Sequence, residues 1–232
     1  ISSIEKWDAS SSPVLLLEVD SPGGGAVASK ELYDALRSVK KPVVAYLGEV
    51  AASGGYYAAS ATQYIVANPN TLTGSLGARA EILNYEQLFQ KIGLRSESVQ
   101  SGRLKDIGAG YRNMTPEERS ILQGIIDELK GNFQKDVETA RAGKLTPQFQ
   151  TVLDSRVLSA KQALTAGLID QVGTRKEALK MAAELGGLAD DPAECRLDEL
   201  NPFEKAFQSF GSGFARSLLS AAGPTSVRLS YS

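Results

Sequence analysis

Ser53 follows an apolar run and precedes two glycines in the stretch AASGGYYAAS, residues 51–60. A serine hydroxyl becomes a nucleophile when a neighbouring group accepts its proton, and the usual acceptor is a histidine imidazole. The chain of 232 residues contains no histidine. If Ser53 performs nucleophilic chemistry, its base must therefore be a carboxylate or a lysine.

The position of Ser53 in the chain favours such chemistry. The sequence predicts a strand over Val43–Leu47 and a helix over Gly54–Ala61, so Ser53 would lie at the turn between them. The free N–H groups at a helix start, with that of Gly54 first, point toward negative charge that develops nearby. The same residue types also fit a packing role, because small side chains let a helix lie close to a sheet. The stretch alone leaves both interpretations open.

A second glycine-rich segment, DSPGGG (Asp20–Gly25), follows a predicted strand over Val14–Val19 and precedes a predicted helix over Ala26–Val39. Successive glycine N–H groups can form an anion-binding nest, and the N–H of Gly24 could complete an oxyanion hole begun at Gly54. A plain turn explains the segment equally well. It is not a nucleotide-binding P-loop, because the Gly-Lys-Ser/Thr ending is missing.

The best candidate for the base is Lys105, in the glycine-rich segment SGRLKDIGAGYR (Ser101–Arg112). A lysine acts as a base near neutral pH only when an apolar environment lowers its pKa from about 10.4. The neighbouring carboxylate of Asp106 would raise that pKa, so we expect Asp106 to point away. Most lysines are solvated surface charges, and the segment alone does not exclude that interpretation.

The order of predicted elements is typical of an α/β protein, because short apolar strands alternate with helical patterns. A long helix should begin after Met114, where Thr115 and Glu118 form a capping box and Pro116 occupies the first helical position. Its predicted apolar face consists of Ile121, Leu122, Ile125, Leu129, Phe133 and Val137. The remaining predictions are strands over Tyr64–Ala67 and Leu168–Val172 and helices over Leu158–Gly167 and Arg175–Leu185, with Ser159 as a cap.

The composition changes near residue 189, so we expect one domain over residues 1–188 and a linker with a C-terminal extension over residues 189–232. The extension carries an apolar stripe at helical spacing, formed by Phe203, Phe207, Phe210, Phe214 and Leu218. Its polar face carries only Lys205 and Arg216, which favours docking on protein over binding to a membrane surface.

Composition excludes several classes of protein. With 42% hydrophobic and 22% charged residues, the chain is typical of a soluble globular protein, and its net charge of −2 argues against a nucleic-acid partner. The single cysteine, Cys195, cannot form an intramolecular disulfide, and without histidine a metal site is not expected. No stretch is long and apolar enough to span a bilayer, and Ile1–Glu5 does not begin a signal peptide.

Four segments in this order resemble the signal peptide peptidase SppA family of the ClpP/crotonase superfold. They are DSPGGG, AASGGYY, TGSLGA (Thr73–Ala78) and SGRLKDIGAGYRNMTPEER (Ser101–Arg119). The resemblance extends over residues 14–178 and includes SRVLSAKQALTAGLIDQVG, residues 155–173. It implies an α/β, ClpP/crotonase-like fold of repeated ββα units with a helical C-terminal extension. The separation of Ser53 and Lys105 is similar to that in single-domain members.

The resemblance also implies a role for each site residue. Ser53 would be the nucleophile, Lys105 the general base, and the N–H groups of Gly24 and Gly54 the oxyanion hole. Ser75, in TGSLGA, would accept a hydrogen bond from the lysine amine and hold it toward Ser53. A neutral lysine thus replaces histidine, and neither a cofactor nor a metal is required.

As a member of this family, the chain would be a serine endopeptidase that hydrolyses remnant signal peptides and other apolar peptides. Its expected partners are peptide substrates and further copies of itself, since members form bowl-like homo-oligomers with composite sites. We expect membrane association through an anchor absent from this chain, with the catalytic domain on the extracytoplasmic side of a bacterial-type cell membrane. Without that anchor the chain itself would be soluble.

Two departures from the family pattern are visible. The chain begins at Ile1 without the anchor and leading strands, which indicates a truncated or trimmed fragment, and Ser155 stands where the family has a glycine. The alternatives are a crotonase-type acyl-CoA enzyme, which would use glutamates, and a catalytically silent scaffold of the same fold.

Overall fold

The computed structural model describes residues 1–190, 192–195 and 197, together with a strand formed by residues 228–231. The helices are α1 (Ser2–Asp8), α2 (Ala26–Ser38), α3 (Gly54–Ser60), α4 (Glu86–Lys91), α5 (Pro116–Ala140), α6 (Ala160–Thr165) and α7 (Arg175–Gly186), with a 3-10 helix at Pro147–Val152. The strands are β1 (Leu15–Ser21), β2 (Val43–Ala52), β3 (Tyr64–Ala67), β4 (Leu72–Gly74), β5 (Ala78–Glu81), β6 (Val157–Ser159), β7 (Gln171–Val172) and β8 (Arg228–Tyr231).

The main sheet has six strands and is organised around β2, which pairs in parallel with β1, β3 and β4. β3 lies against the first half of β2, and β4 lies against its last three residues. β7 extends the sheet in parallel from β3, whereas β6 pairs with β4 in the antiparallel direction. The carboxyl ends of β2 and β4 therefore lie side by side.

Both faces of the sheet are covered, as expected for mainly parallel strands. Side chains alternate along β2: Val43, Ala45 and Leu47 join the large core cluster, whereas Val44 joins a smaller cluster with Ala178 and Ala182 of α7. Helix α7 thus covers one face, and the large cluster, with residues of α1, α2, α3 and α5, covers the other.

Helix α3 is buried at every position, from Gly54 to Ser60. It packs against α2, α5 and strands β1 and β2, and its glycine and alanine residues allow the close approach. The small residues of AASGGYY that form the helix therefore have a packing role. Whether the stretch also has a chemical role depends on Ser53, which immediately precedes the helix.

Helix α5 begins as predicted, since Thr115 and Glu118 form a reciprocal capping box and Pro116 occupies the first turn. The predicted apolar face was wrong for its first half. Phe133 and Val137 are fully buried, whereas Ile121 and Ile125 are 39% and 40% exposed. The first half of α5 contacts the short strand β5 instead of the main core.

The other predicted elements agree with the structure only in part. Ser159 caps α6 with Gln162 as its capping-box partner, although the element before it is strand β6. The predicted strand over Leu168–Val172 is only the two-residue β7. Helix α1 was missed; its Trp7 and Ile4 are buried in the large cluster.

The predicted stripe of Phe203, Phe207, Phe210, Phe214 and Leu218 lies outside the described residues. The part of the C-terminal extension that the structure describes beyond residue 197 is β8, which pairs with β5 in the antiparallel direction. None of the helices described is both long enough and apolar enough to cross a bilayer.

Candidate active site

Ser53 occupies a sharp turn between β2 and α3, with φ of 53° and ψ of −122°. Positive φ is uncommon for a residue with a side chain and carries a conformational cost. Two backbone hydrogen bonds hold the turn: the Ser53 N–H donates to the Gly74 carbonyl at 2.8 Å, and its carbonyl accepts from the Tyr57 N–H at 2.8 Å. A strained serine between a strand and a helix is the geometry of the nucleophile elbow in α/β-hydrolases.

The Ser53 side chain is completely buried, and its Oγ has no hydrogen-bond partner. Buried hydroxyl groups are almost always paired, because an unsatisfied polar group costs about 1–3 kcal/mol. Such a group calls for a functional explanation. An Oγ with no competing partner can pair with a base.

The two glycine-rich segments meet at Ser53. An ideal Cβ placed on Gly54 would lie only 3.2 Å from the Gly24 N, so these two backbones are adjacent. The Gly24 and Gly54 N–H groups have no backbone acceptor in the described part of the chain. Two free donors beside a serine hydroxyl can stabilise a developing negative charge.

Gly23 was not identified from the sequence, although it contacts the serine directly. Its φ is +110°, and an ideal Cβ on it would lie 2.8 Å from Ser53 Cβ and 2.9 Å from both Ser53 Oγ and Gly54 N. Only glycine fits this position without displacement. The signal in the sequence was the run of three glycines, which did not reveal the residue that packs against Ser53.

Ser75 lies one residue beyond β4, at the same edge of the sheet as Ser53. The link is direct, because Gly74 accepts the hydrogen bond of the Ser53 N–H. Ser75 is nearly buried and has a φ of 55°. No bond joins the two hydroxyls, since Ser53 Oγ has no partner.

Ser155 adopts the left-handed conformation, with a φ of 68°, that the glycine of the family pattern would favour. Its Oγ donates to the Leu76 carbonyl at 2.8 Å, and the Arg156 carbonyl accepts from the Ser75 N–H at 2.9 Å. Serine in place of glycine at position 155 therefore keeps the turn, and these two hydrogen bonds hold the loop that contains Ser75. Among the described residues, the non-glycine residues with positive φ are Ser53, Ser75 and Ser155, so backbone strain concentrates at this site.

Lys105 is exposed on the turn-rich segment that precedes α5. Its side chain makes no ion pair or hydrogen bond within the described residues. Ser53 and Ser75 are thus brought together, whereas Lys105 is not joined to Ser53 within one chain. The Asp106 carboxylate accepts hydrogen bonds from Arg112 and Tyr111.

A groove of about 530 Å³ runs between β5, the segment before α5 and the first half of α5. Its apolar lining residues include Ala78, Ala80, Ile82, Met114, Leu122 and Ile126. β5 begins three residues after Ser75, so the groove starts close to the serine. Arg112 and Arg119 add positive charge to the lining.

Comparison with known proteins identifies the family. The sequence profile of peptidase family S49 matches residues 35–189. A putative protease of Synechocystis sp. is 41% identical over 192 residues, which are 81% of this chain and 68% of that protein. A putative protease of Methanocaldococcus jannaschii is 35% identical over 178 residues, 76% of this chain and 57% of that protein. A putative signal peptide peptidase SppA of Enterococcus faecium is 34% identical over 168 residues, 71% of this chain and 48% of that protein.

These similarities confirm the expected ClpP/crotonase-like α/β fold class, which S49 peptidases share, and support a serine peptidase. The chain spans between 48% and 68% of the length of these three relatives. The matched region includes Ser53, Ser75 and Lys105, whereas DSPGGG precedes it. By the extent of this match, the chain belongs to peptidase family S49.

Proposed function

We propose that the chain is a serine endopeptidase in which Ser53 is the nucleophile and Lys105 the general base. The observation that carries this proposal is the buried Ser53 Oγ, unpaired in a strained turn beside the free N–H groups of Gly24 and Gly54. A merely structural serine in this position would be expected to cap helix α3, but Ser53 makes no side-chain cap hydrogen bond.

The proposed reaction gives each of these groups one step. The neutral Lys105 amine takes the proton of Ser53 Oγ as the oxygen attacks the scissile carbonyl. The Gly24 and Gly54 N–H groups stabilise the oxyanion of the tetrahedral intermediate, and the lysine then protonates the leaving amine. Ser75 accepts a hydrogen bond from the lysine and orients it. Water repeats the cycle on the acyl-enzyme.

The proposed base comes from a second copy of the chain. Lys105 is exposed and unpaired, and Ser53 Oγ has no partner in its own chain. The segment before Lys105 also exposes apolar side chains, including Leu94 and the fully exposed Val99. Exposed apolar surface of this kind favours burial against another subunit. A homo-oligomer would complete each site with a lysine from a neighbour.

The proposed substrates are extended apolar peptides, such as signal-peptide remnants, bound by strand addition to β5. Strand β8 pairs with β5 in the antiparallel direction, with Ala78 opposite Tyr231 and Ala80 opposite Leu229, so a substrate bound in this mode takes the place of β8. Substrates of this class fit an enzyme associated with the extracytoplasmic side of a membrane, which we propose as its location.

The groove beside β5 gives the proposal a specificity test. Residues opposite Ala78 and Ala80 in an antiparallel pair share their face of the strand, which is the face of the groove. Ala80→Leu narrows this space and is expected to lower kcat/KM about tenfold for peptides with a large apolar residue at that position. Peptides with alanine there serve as the internal control. An equal loss for both peptide series contradicts the assignment of the groove as a subsite.

A fluorophosphonate probe tests the proposed nucleophile, because it reacts with an activated serine hydroxyl. Labelling is expected in the unmodified chain and is lost in Ser53→Ala and in Lys105→Ala. Labelling that survives in Ser53→Ala excludes Ser53 as the nucleophile. No labelling of the unmodified oligomer favours a silent scaffold.

Gly23 provides a prediction that depends on backbone geometry. Gly23→Ala places a Cβ against Ser53 and the Gly54 N–H, so it is expected to lower kcat by about 10²-fold through the oxyanion hole. Strain at a φ of +110° is expected to lower the free energy of unfolding by about 1–3 kcal/mol. Gly25→Ala is the matched control, because Gly25 has a φ of −61° and open space around its Cα. Peptide hydrolysis and thermal unfolding measure the two effects, and equal activities of the two variants contradict the prediction.

A further inference from the structure

Arg112 connects two carboxylates that belong to different parts of the chain. Its Nη2 and Nε donate to Asp106, beside Lys105, at 2.7 and 2.9 Å. Its Nη1 donates to Glu118, in the first turn of α5, at 2.9 Å, and Nη2 also contacts Glu118. The guanidinium therefore makes two forked contacts at once, an arrangement that lysine cannot reproduce.

Asp106, Arg112 and Glu118 together form what we call the arginine bridge. Its Glu118 end is firmly anchored. The Glu118 side chain is 2% exposed and accepts the Thr115 N–H at 2.9 Å, completing the capping box of α5. The far end of α5 is fixed in the core through Phe133 and Val137. A rigid helix thus extends from the core to Arg112.

The other side of the bridge holds the segment that carries Lys105. The Asp106 side chain is 12% exposed and also accepts the Tyr111 hydroxyl at 2.8 Å. The Lys105 side chain is exposed and makes no ion pair or hydrogen bond among the described residues, whereas its backbone N–H donates to the Gly102 carbonyl at 3.0 Å. The next residue, Asp106, ties this turn to Arg112 through its side chain.

We propose that Arg112 is a positioning residue for Lys105, holding the lysine segment against α5 and keeping the Asp106 carboxylate from pairing with the lysine amine. This inference rests on the proposed function, in which Lys105 is the general base. Without Arg112, the freed Asp106 carboxylate lies next to Lys105 in the chain and would favour the charged ammonium form. A charged lysine cannot accept the serine proton.

The charged groups around the lysine segment are consistent with this role. The ion pairs beside Lys105 are that of Arg103 with Glu117 of α5 and those of Arg112 with Asp106 and Glu118, while Arg119 lines the groove next to Arg112. Asp106, Glu117 and Glu118 therefore each have an arginine partner. Within the part of the chain that the structure describes, the Lys105 amine makes no ion pair.

The bridge stays charged wherever a lysine would titrate. The Arg112 guanidinium lowers the pKa of Glu118 to about 2 and holds that of Asp106 well below its usual range, while both carboxylates raise the pKa of Arg112. A carboxyl group with a lowered pKa stabilises the fold fully above its ordinary pKa of about 4, and that contribution is lost as the pH falls toward the lowered value. From neutral to alkaline pH the bridge is constant.

The test is the pH dependence of kcat/KM for peptide hydrolysis by the full chain. Arg112→Gln is expected to lower kcat/KM at pH 7 about tenfold, mainly through kcat. The midpoint of the rise of kcat/KM with pH is expected to move upward by about one pH unit. The double variant Asp106→Asn/Arg112→Gln removes the freed carboxylate and is expected to return the midpoint to that of the unmodified chain. Arg103→Gln is the matched control, because Arg103 links the same segment to α5 from an exposed position, and its midpoint should not move.

An unshifted midpoint in folded Arg112→Gln overturns the inference, and so does a double variant whose midpoint remains shifted. If Arg112→Gln does not fold, Arg112→Met takes its place; it also removes the guanidinium, and an unshifted midpoint there has the same meaning. A Lys105→Ala variant that remains active refutes the proposed function itself. Loss of activity in Lys105→Ala together with an unshifted Arg112 variant refutes only the positioning role.

Discussion

Ser53→Ala is expected to lower kcat for peptide hydrolysis by about 10³-fold or more, because removing a nucleophile leaves only binding and oxyanion stabilisation. The fold should tolerate the change, since the lost Oγ makes no hydrogen bond. The thermal unfolding midpoint should therefore stay close to that of the unmodified chain or rise slightly. Steady-state hydrolysis of an apolar peptide and thermal unfolding measure the two quantities.

Ser60→Ala is the matched control for this prediction. Ser60 is equally buried and lies on α3, but its Oγ donates to the Tyr57 carbonyl at 2.7 Å. Its removal is expected to cost about 1 kcal/mol of stability and to leave kcat nearly unchanged. The opposite pattern, with activity lost at Ser60 and kept at Ser53, contradicts the assigned nucleophile.

Lys105→Ala is expected to lower kcat by about 10²- to 10⁴-fold, the usual contribution of a general base. In the unmodified chain the rate should rise with pH as the Lys105 amine loses its proton, since only the neutral amine accepts the serine proton. This rise should be absent from the residual activity of Lys105→Ala. Initial rates over a series of pH values measure it.

Lys91→Ala is the control for the lysine, because Lys91 is another exposed lysine, at the end of α4. Its pH profile should match that of the unmodified chain. A profile in the unmodified chain that is flat from acid to alkaline pH contradicts a lysine base.

The local features of the site were predictable from the sequence because they depend on neighbouring residues. The strand before Ser53, the small-residue helix after it and the capping box of Thr115 and Glu118 all appear where the pattern predicts them. Ser155 shows the limit of such inference. Its residue type departs from the family pattern, yet its φ of 68° gives the backbone of a glycine.

The features that the sequence did not predict depend on contacts between distant segments. The glycine run does not show that Gly23 contacts Ser53, 30 residues later, because only the folded chain brings them together. The apolar spacing of α5 predicted a buried face, but Ile121 and Ile125 have no core beneath them. Arg112 lies only six residues from both Asp106 and Glu118, but the sequence does not show that one side chain bonds both carboxylates.

We propose that each active site takes Ser53 from one copy of the chain and Lys105 from another, and a subunit-mixing experiment tests this claim most directly. Ser53→Ala and Lys105→Ala chains, each inactive alone, are unfolded, mixed in equal amounts and refolded together. If each site takes its serine from one copy and its lysine from a neighbour, random mixing restores about a quarter of the sites. Mixing Ser53→Ala with a chain carrying both substitutions is the control and should stay inactive. We predict that the first mixture regains about a quarter of the unmodified activity, and a mixture that assembles but stays as inactive as its components would contradict a shared serine–lysine site.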